Sequence, residues 1–138
     1  MSNTLPARFF RAAVIYGLLG MALGIHMAAT HDHGQLVAHA HLLLIGWVSM
    51  FLFGGFYHLY APSDRLGHWQ WWISNVGVIV LTAGLLVIYG GNPARGEPFA
   101  TAGSLITIAG MALFAYNVFR LTRAGASEKA ALESGQQA

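Results

Sequence analysis

Two histidines, His39 and His41, are separated by one alanine at the start of a long apolar run. Residues two apart on an α-helix point about 200° apart around its axis, so one helix would present an imidazole to each of two opposite sides. Imidazole is a common ligand of haem iron and of copper, and an ionisable group inside a membrane usually has a function. The alternative is a pair of interfacial histidines bonded to backbone and water.

Other side chains could take part in the same chemistry. His26 lies near the end of the first apolar run, at the depth expected for the His39–His41 pair, which makes it a further candidate ligand. His31 and His33 flank Asp32 in a short connector, and this pattern binds copper or zinc unless the histidines are simply solvated. Arg95 would pair with a carboxylate such as a haem propionate, or cap its loop.

Composition places the chain in a membrane. It has 138 residues, of which 56% are hydrophobic and 9% charged, against about 25% charged in soluble domains. No Asp, Glu, Lys or Arg interrupts an apolar run, which is typical of integral membrane proteins. The absence of cysteine excludes disulfides, thiolate metal sites and covalent c-type haem. The net charge of +2 gives no sign of nucleic-acid binding.

Four apolar runs predict an all-α, four-helix transmembrane bundle, because each has about the 20 residues that a spanning helix needs. We expect one membrane domain over 1–138, with helices at about 11–29, 36–60, 69–89 and 99–121 and a polar tail over 124–138. The first run has no A-x-A cleavage site with a soluble domain behind it, so we expect it to be retained as a helix.

The positive-inside rule predicts the topology. All but one of the basic residues fall on the side that holds both termini, which should therefore be cytoplasmic. The connectors carrying His31 and Arg95 should be external, or periplasmic if the chain lies in a bacterial inner membrane. Trp69, Trp71 and Trp72 should form a cytoplasmic aromatic belt. His58 and His68 are expected to be polar tips at that same interface.

Two further patterns concern helix packing. Gly20 and Gly24 form a G-x-x-x-G pattern, which favours close contact with another helix. Aromatic residues crowd the second predicted helix, where they would suit either a haem pocket or ordinary packing. These are Trp47, Phe51, Phe53, Phe56 and Tyr57.

The stretch from Val37 to Tyr57 resembles the tenth helix of the catalytic subunit of the haem-copper oxidase and nitric oxide reductase superfamily. That helix carries H-x-H, then a small residue, then G-x-Y/F-Y near its inner end. The resemblance implies that His39 faces a high-spin haem and His41 a low-spin haem. The loop ending at Arg95, Gly-Asn-Pro-Ala-Arg, is similar to the family's propionate-binding G-x-P-R-R loop, with one arginine remaining.

The family's catalytic subunit has twelve helices in three arcs of four, and this chain resembles one arc over about residues 10–122. The helices that carry the family's copper ligands, its His–Tyr pair and the partner of the low-spin histidine have no counterpart here. The resemblance therefore implies that His26, or a histidine from a neighbouring copy, supplies the missing ligand. A homo-oligomer is expected, with a trimer favoured over a dimer.

The leading functional prediction is a membrane protein that binds haem b non-covalently. His41 and His26 are the favoured axial ligands, His39 is the next, and Arg95 anchors propionates. Bis-histidine haem suits electron transfer with a redox partner or quinol, whereas an open position suits O₂ or NO, so enzymatic activity is left open. The alternatives are a copper- or zinc-handling protein using His31, His33, His39 and His41, and a cofactor-free accessory subunit of a respiratory complex.

Overall fold

The computed structural model describes residues 4–61 and 63–135, and the secondary structure within them is entirely helical. The four helices are α1 (Leu5–Thr30), α2 (Leu36–Tyr60), α3 (Arg65–Tyr89) and α4 (Pro93–Gly135). Each is long and apolar enough to cross a membrane. The predicted all-α bundle with four spanning helices is therefore confirmed, and the fold is compatible with an integral membrane protein.

Three helices begin earlier than the apolar runs indicate, because local chemistry extends them. In α1 the first turn includes Leu5, which is fully buried, and proline is tolerated there because first-turn N–H groups have no helical partner. The carboxylate of Asp64 caps α3, where its Oδ2 accepts a hydrogen bond of 2.7 Å from Gly67 N. Such a cap is worth about 1 kcal/mol, enough to fix the start of a helix.

α4 also differs from its prediction at both ends. It begins at Pro93, so the connector from α3 is only Gly90 to Asn92, and Arg95 lies in the first turn of α4 rather than in a loop. Pro98 is accommodated because the carbonyl that it leaves unbonded belongs to the exposed Ala94. The predicted tail continues α4 as helical backbone to Gly135, and residues 136–138 lie outside the described residues.

α2 is not a uniform α-helix. Leu36–His41 and Met50–Tyr60 are α-helical, but Leu42–Ser49 between them is π-helical. π-helical turns are rare and frequently occur at functional sites. This one begins immediately after His41.

α1 packs against the whole of α2 through a row of glycines. A Cβ atom on Gly17 would lie 3.1 Å from the Trp47 ring, and one on Gly20 would collide with the Leu43 side chain. The close helix contact expected of the G-x-x-x-G pattern is therefore present. It brings the two helices together at the level of the histidines.

α3 and α4 pack antiparallel along a glycine-rich seam. A Cβ atom added to Gly84 would collide with the backbone of Ala100, and one on Gly103 would collide with the backbone of Leu81. We use the name α3–α4 seam for the facing residues Ser74, Gly77, Leu81 and Gly84 of α3, and Gly96, Ala100, Gly103, Thr107 and Gly110 of α4.

Polar side chains tie the helices together at the end of the bundle where α3 begins, which we call the Arg65 end. Arg120 donates from Nη2 to Asp64 Oδ1 at 2.7 Å and to Asn117 Oδ1 at 3.1 Å. The Asn117 amide donates in turn to Tyr57 Oη at 2.8 Å. Three helices, α2, α3 and α4, are thereby held in one hydrogen-bonded network.

The three tryptophans of α3 and His68 also lie near the Arg65 end. Trp69 and Trp72 are exposed, as expected of an aromatic belt, but Trp71 is half-buried. The Arg8 guanidinium lies 4.1 Å from the Trp71 ring centroid and donates to His68 Nδ1 at 3.0 Å. This contact fixes the start of α1 against α3.

Candidate functional site

His39 and His41 leave α2 on opposite sides, as their spacing predicts. His39 packs against α1, and His41 faces a cavity bounded by α2, α3 and α4. Both rings are half-buried. The two imidazoles therefore have separate surroundings.

The His39 ring is held between two glycines of α1. Its Nδ1 lies 2.8 Å from the carbonyl oxygen of Gly20, and its Cε1 is so near to α1 that a Cβ atom on Gly24 would lie 2.9 Å away. A carbonyl oxygen only accepts, so Nδ1 carries the proton and donates. The neutral ring then keeps its lone pair on Nε2, the form that binds a metal.

His41 has the same tautomer but a different partner. Its Nδ1 donates to the carbonyl oxygen of Val37, one turn earlier in α2, at 2.8 Å. In the neutral form of the ring Nε2 again holds the lone pair, and this ring lines the cavity. Donation from the other ring nitrogen to a carbonyl is the usual arrangement for a metal-binding histidine, since it fixes the ring orientation and raises the basicity of the ligating nitrogen.

The cavity next to His41 has a volume of about 360 Å³, within the range of about 300–1,000 Å³ usual for small-molecule sites. Its walls are mainly apolar, with a few hydroxyl groups among them. The lining residues are His41, Ile45, Ser49 and Phe53 of α2, Ser74 and Leu81 of α3, and Ser104, Thr107, Ile108 and Met111 of α4. Such a site takes a largely apolar molecule that has a few polar or ligating atoms.

The π-helical segment aligns one wall of this cavity. The α2 residues that line it are spaced every four residues from His41 to Phe53. In a regular α-helix each such step advances about 40° beyond a full turn, so His41 and Phe53 would point about 120° apart. The wider π-helical turn offsets that drift. The hydroxyl of Ser49 donates to Leu44 O, five residues earlier, at 2.8 Å, which is the spacing of hydrogen bonds in a π-helix.

The hydroxyl groups of the cavity differ in their hydrogen bonding. Ser104 Oγ donates to Ala100 O at 2.8 Å, and Ser74 Oγ accepts from Gln70 Nε2 at 3.0 Å. Thr107 Oγ1 is buried and has no hydrogen-bond partner within residues 4–61 and 63–135. The sequence predicted none of these groups as part of a site. The available signal was the repeated three- and four-residue spacing of small and polar residues in α3 and α4.

The remaining candidate ligands do not come together with His41. His26 is exposed on α1 and does not line the cavity, although it lies only two residues beyond the contact between Gly24 and His39. His31 ends α1 in a left-handed conformation, with φ at 56°, and His33 is exposed. The carboxylate of Asp32 accepts from Gly34 N at 2.9 Å, so it shapes the turn.

Arg95 and His58 are both exposed. Arg95 lies at the end of the bundle opposite the Arg65 end, which we call the His31 end, and it has no ion pair within the described part of the chain. It precedes the cavity residue Ser104 by nine residues of α4, or about 14 Å along the helix axis. His58 lies near the Arg65 end, as expected of an interfacial side chain.

No three His, Asp or Glu side chains are grouped as a metal site among residues 4–61 and 63–135. The histidines instead offer single nitrogen ligands, of which His41 alone lines the large cavity described above. A single imidazole suits a metal that brings most of its own ligands.

Comparisons with protein-family models, with curated proteins and with solved structures find no match to this chain.

Proposed function

We propose that this chain is a membrane protein that binds haem b non-covalently, with His41 as an axial ligand of the iron through Nε2. One observation carries the proposal. His41 Nδ1 donates to Val37 O, and the ring lines a largely apolar cavity between three helices. A porphyrin supplies four nitrogen ligands itself, so one oriented imidazole suffices to hold it. The resemblance of Val37–Tyr57 to a haem-ligating helix supports the same ligand.

The residues of the cavity and of the neighbouring His31 end suit haem in two respects. The cavity is bounded by apolar side chains of α2, α3 and α4, including Ile45, Leu81 and Ile108, which suit the faces of a porphyrin. Arg95 is an exposed guanidinium toward the His31 end, and its planar fork binds carboxylates such as propionates well. When bound, haem supplies a one-electron redox centre whose potential its ligands and surroundings set.

His39 has a separate role in this proposal. Its Nε2 carries a lone pair as His41 Nε2 does, but the ring lies on the α1 side of α2. It therefore does not reach the haem held by His41, and a metal bound by His39 would lie on the other side of α2. A coordination position left open at the iron of the His41 haem would bind O₂ or NO, whereas two histidines on that iron suit electron transfer.

The site of one chain is incomplete, which favours an oligomer. The cavity lining includes no second imidazole, and His26 is exposed on the surface of α1. A neighbouring copy supplies the second ligand, with His26 as the candidate residue. The resemblance to one of three arcs favours a trimer over a dimer. The basic Arg65 end faces the cytoplasm of a bacterial cell, and a quinol or a redox protein exchanges electrons with the haem.

Native mass spectrometry of the detergent-purified protein is expected to give three copies of the 14.8 kDa chain together with their haem. A mass corresponding to two chains with haem would show that the protein is a dimer and not a trimer. Single chains with a full complement of haem would show that no neighbouring ligand is needed.

The purified protein is expected to show a Soret absorption band, and the pyridine haemochrome spectrum is expected to identify haem b. A colourless protein that binds one copper or zinc ion per chain would contradict the proposal and favour the metal-handling alternative. A colourless protein that binds neither would favour the accessory-subunit alternative. Expression with added haem precursor ensures that a colourless result does not reflect a shortage of haem.

A further inference from the structure

A histidine and two arginines meet at the Arg65 end with no carboxylate between them. Arg65 and His68 line one pocket, and Arg8 donates to His68 Nδ1 at 3.0 Å. Arg65 is exposed and has no ion pair within the described residues. Asp64 is the only acidic residue of this end up to residue 127, and it is already paired with Arg120. The group therefore keeps a net positive charge.

The contact with Arg8 fixes the tautomer of His68. A guanidinium only donates hydrogen bonds, so Nδ1 of the ring accepts and the ring proton is on Nε2. The Nε2–H group has no hydrogen-bond partner within residues 4–61 and 63–135, and the half-buried ring lines the pocket. His68 therefore offers a neutral donor beside two positive charges. The complementary acceptor is an anionic oxygen, as in a phosphate group.

The pocket beside His68, which we call the Arg65 pocket, has a volume of about 450 Å³. It is lined by Arg65, His68, Trp69 and Trp72, whose spacing of three and four residues places them in one stripe on α3. Arg8 adjoins it, because its guanidinium lies 5.9 Å from the Trp72 ring centroid. Exposed tryptophans are typical of the level where lipid headgroups meet acyl chains. The pocket thus combines positive charge with an interfacial aromatic surface.

An apolar groove continues from the Arg65 pocket toward the middle of the bundle. We call it the α1–α3 groove, and it has a volume of about 340 Å³ with Tyr16 and Leu19 of α1 and Ile79 of α3 in its wall. Tyr16 Oη donates to Asn75 Oδ1 at 2.8 Å, which ties the two helices together beside the groove. Ile79 follows Trp72 by seven residues, or two helical turns, so both lie on one face of α3.

The pocket and the groove are spaced as the two parts of a phospholipid are. Ile79 lies eleven residues beyond His68, about 17 Å along the helix axis. Half of a bilayer, with its headgroup region included, is about 20–22 Å thick. A lipid whose phosphate lies in the Arg65 pocket would therefore lay an acyl chain along the groove within one leaflet. A free phosphate ion would use the pocket alone.

We propose that the Arg65 pocket and the α1–α3 groove together bind one anionic phospholipid. Arg65 and the Nε2–H group of His68 bind the phosphate, and Arg8 adds a second positive charge beside it. One acyl chain lies in the groove against Leu19 and Ile79. A zwitterionic lipid binds less tightly, because its ammonium group is repelled by the two guanidinium groups. This inference does not depend on what the His41 cavity holds.

Native mass spectrometry of the delipidated, detergent-solubilised protein tests this site, because it counts the lipids bound to the intact assembly. Dioleoyl phosphatidylglycerol and dioleoyl phosphatidylcholine are titrated separately, and the dissociation constants of the first lipid per chain are compared. We expect phosphatidylglycerol to bind about tenfold more tightly. Equal affinities for the two lipids would overturn the proposal, since the site is defined by its charge.

Arg65→Gln is expected to weaken the binding of phosphatidylglycerol about fivefold to tenfold, because it removes one of the two positive charges. Arg11→Gln is the matched control, since it removes an exposed arginine of the same end that does not line the Arg65 pocket. The control should change the affinity by less than about twofold. Equal effects of the two substitutions would show that the lipid responds only to the overall charge of this end, which would contradict a defined site.

The groove is tested with Leu19→Trp, whose larger side chain fills it, and with Leu18→Trp as the control at an exposed neighbouring position outside the groove wall. Leu19→Trp should weaken phosphatidylglycerol binding about fivefold, and Leu18→Trp should have little effect. Inorganic phosphate at the same concentration as the lipid should displace almost none of it. Full displacement by phosphate, or equal affinities of the two tryptophan variants, would show that the groove takes no part and would overturn the assignment of a lipid.

Discussion

Replacing His41 by alanine is expected to reduce the Soret absorbance of the purified protein to about a tenth or less of the wild-type value. The substitution removes the one imidazole of this chain that lines the cavity, so the iron would keep only the ligand supplied by the neighbouring copy. The measurement is the ratio of Soret to protein absorbance after expression with haem precursor. Gel filtration shows whether the variant keeps its assembly.

Two matched variants make this result specific. His58→Ala removes an exposed histidine of the same helix near the Arg65 end and should leave the spectrum unchanged. His39→Ala should retain the His41-dependent band, because the two rings lie on opposite sides of α2. A full wild-type spectrum in His41→Ala would remove this residue from the set of haem ligands.

Replacing Gly103 by valine is expected to lower the free energy of unfolding by about 3 kcal/mol, at the upper end for overpacking. The added Cβ would collide with the backbone of Leu81, and backbone atoms cannot rotate aside as the end of a side chain can. The seam would have to open along its length. Steric trapping in bicelles, which measures unfolding without strong denaturant, provides the readout.

Gly55→Val is the matched control for this substitution. A Cβ atom on Gly55 meets nothing within 4 Å, and the change in helix propensity is the same at both positions. The control should alter the unfolding free energy by less than about 0.5 kcal/mol. Equal stability of the two variants would show that α3 and α4 are not in backbone contact at Gly103.

The number and type of helices could be predicted from the sequence because bilayer thickness sets the length of a spanning run. The ends of the helices could not be predicted in the same way, because an apolar pattern carries no information about capping. Asp64 extends α3 through a hydrogen bond to Gly67 N, and Pro93 opens α4 before the apolar run begins. Both effects come from polar or proline residues. A hydropathy pattern assigns such residues to loops.

The directions in which His39 and His41 point could be predicted from the sequence, but the residues that surround each ring could not. The opposite orientation of His39 and His41 follows from helical geometry alone. That Gly20 supplies the acceptor for His39, and that His41 opens on a cavity, depends on how separate helices pack. We expected His26 and His41 to lie at the same depth in the membrane. The structure places His26 on the exposed surface of α1, and depth alone does not bring two side chains together.

The π-helical segment Leu42–Ser49 lets α2 hold one residue more than a regular α-helix of the same alignment would. Twelve residues separate His41 from Phe53, which in α-helical turns would place them about 120° apart, whereas eleven residues would place them about 20° apart. Loss of one residue from this segment would therefore restore α-helical turns and still leave His41 and Phe53 on one face. The alignment of the cavity wall would survive such a deletion, and only the widened turn beside the imidazole would be lost.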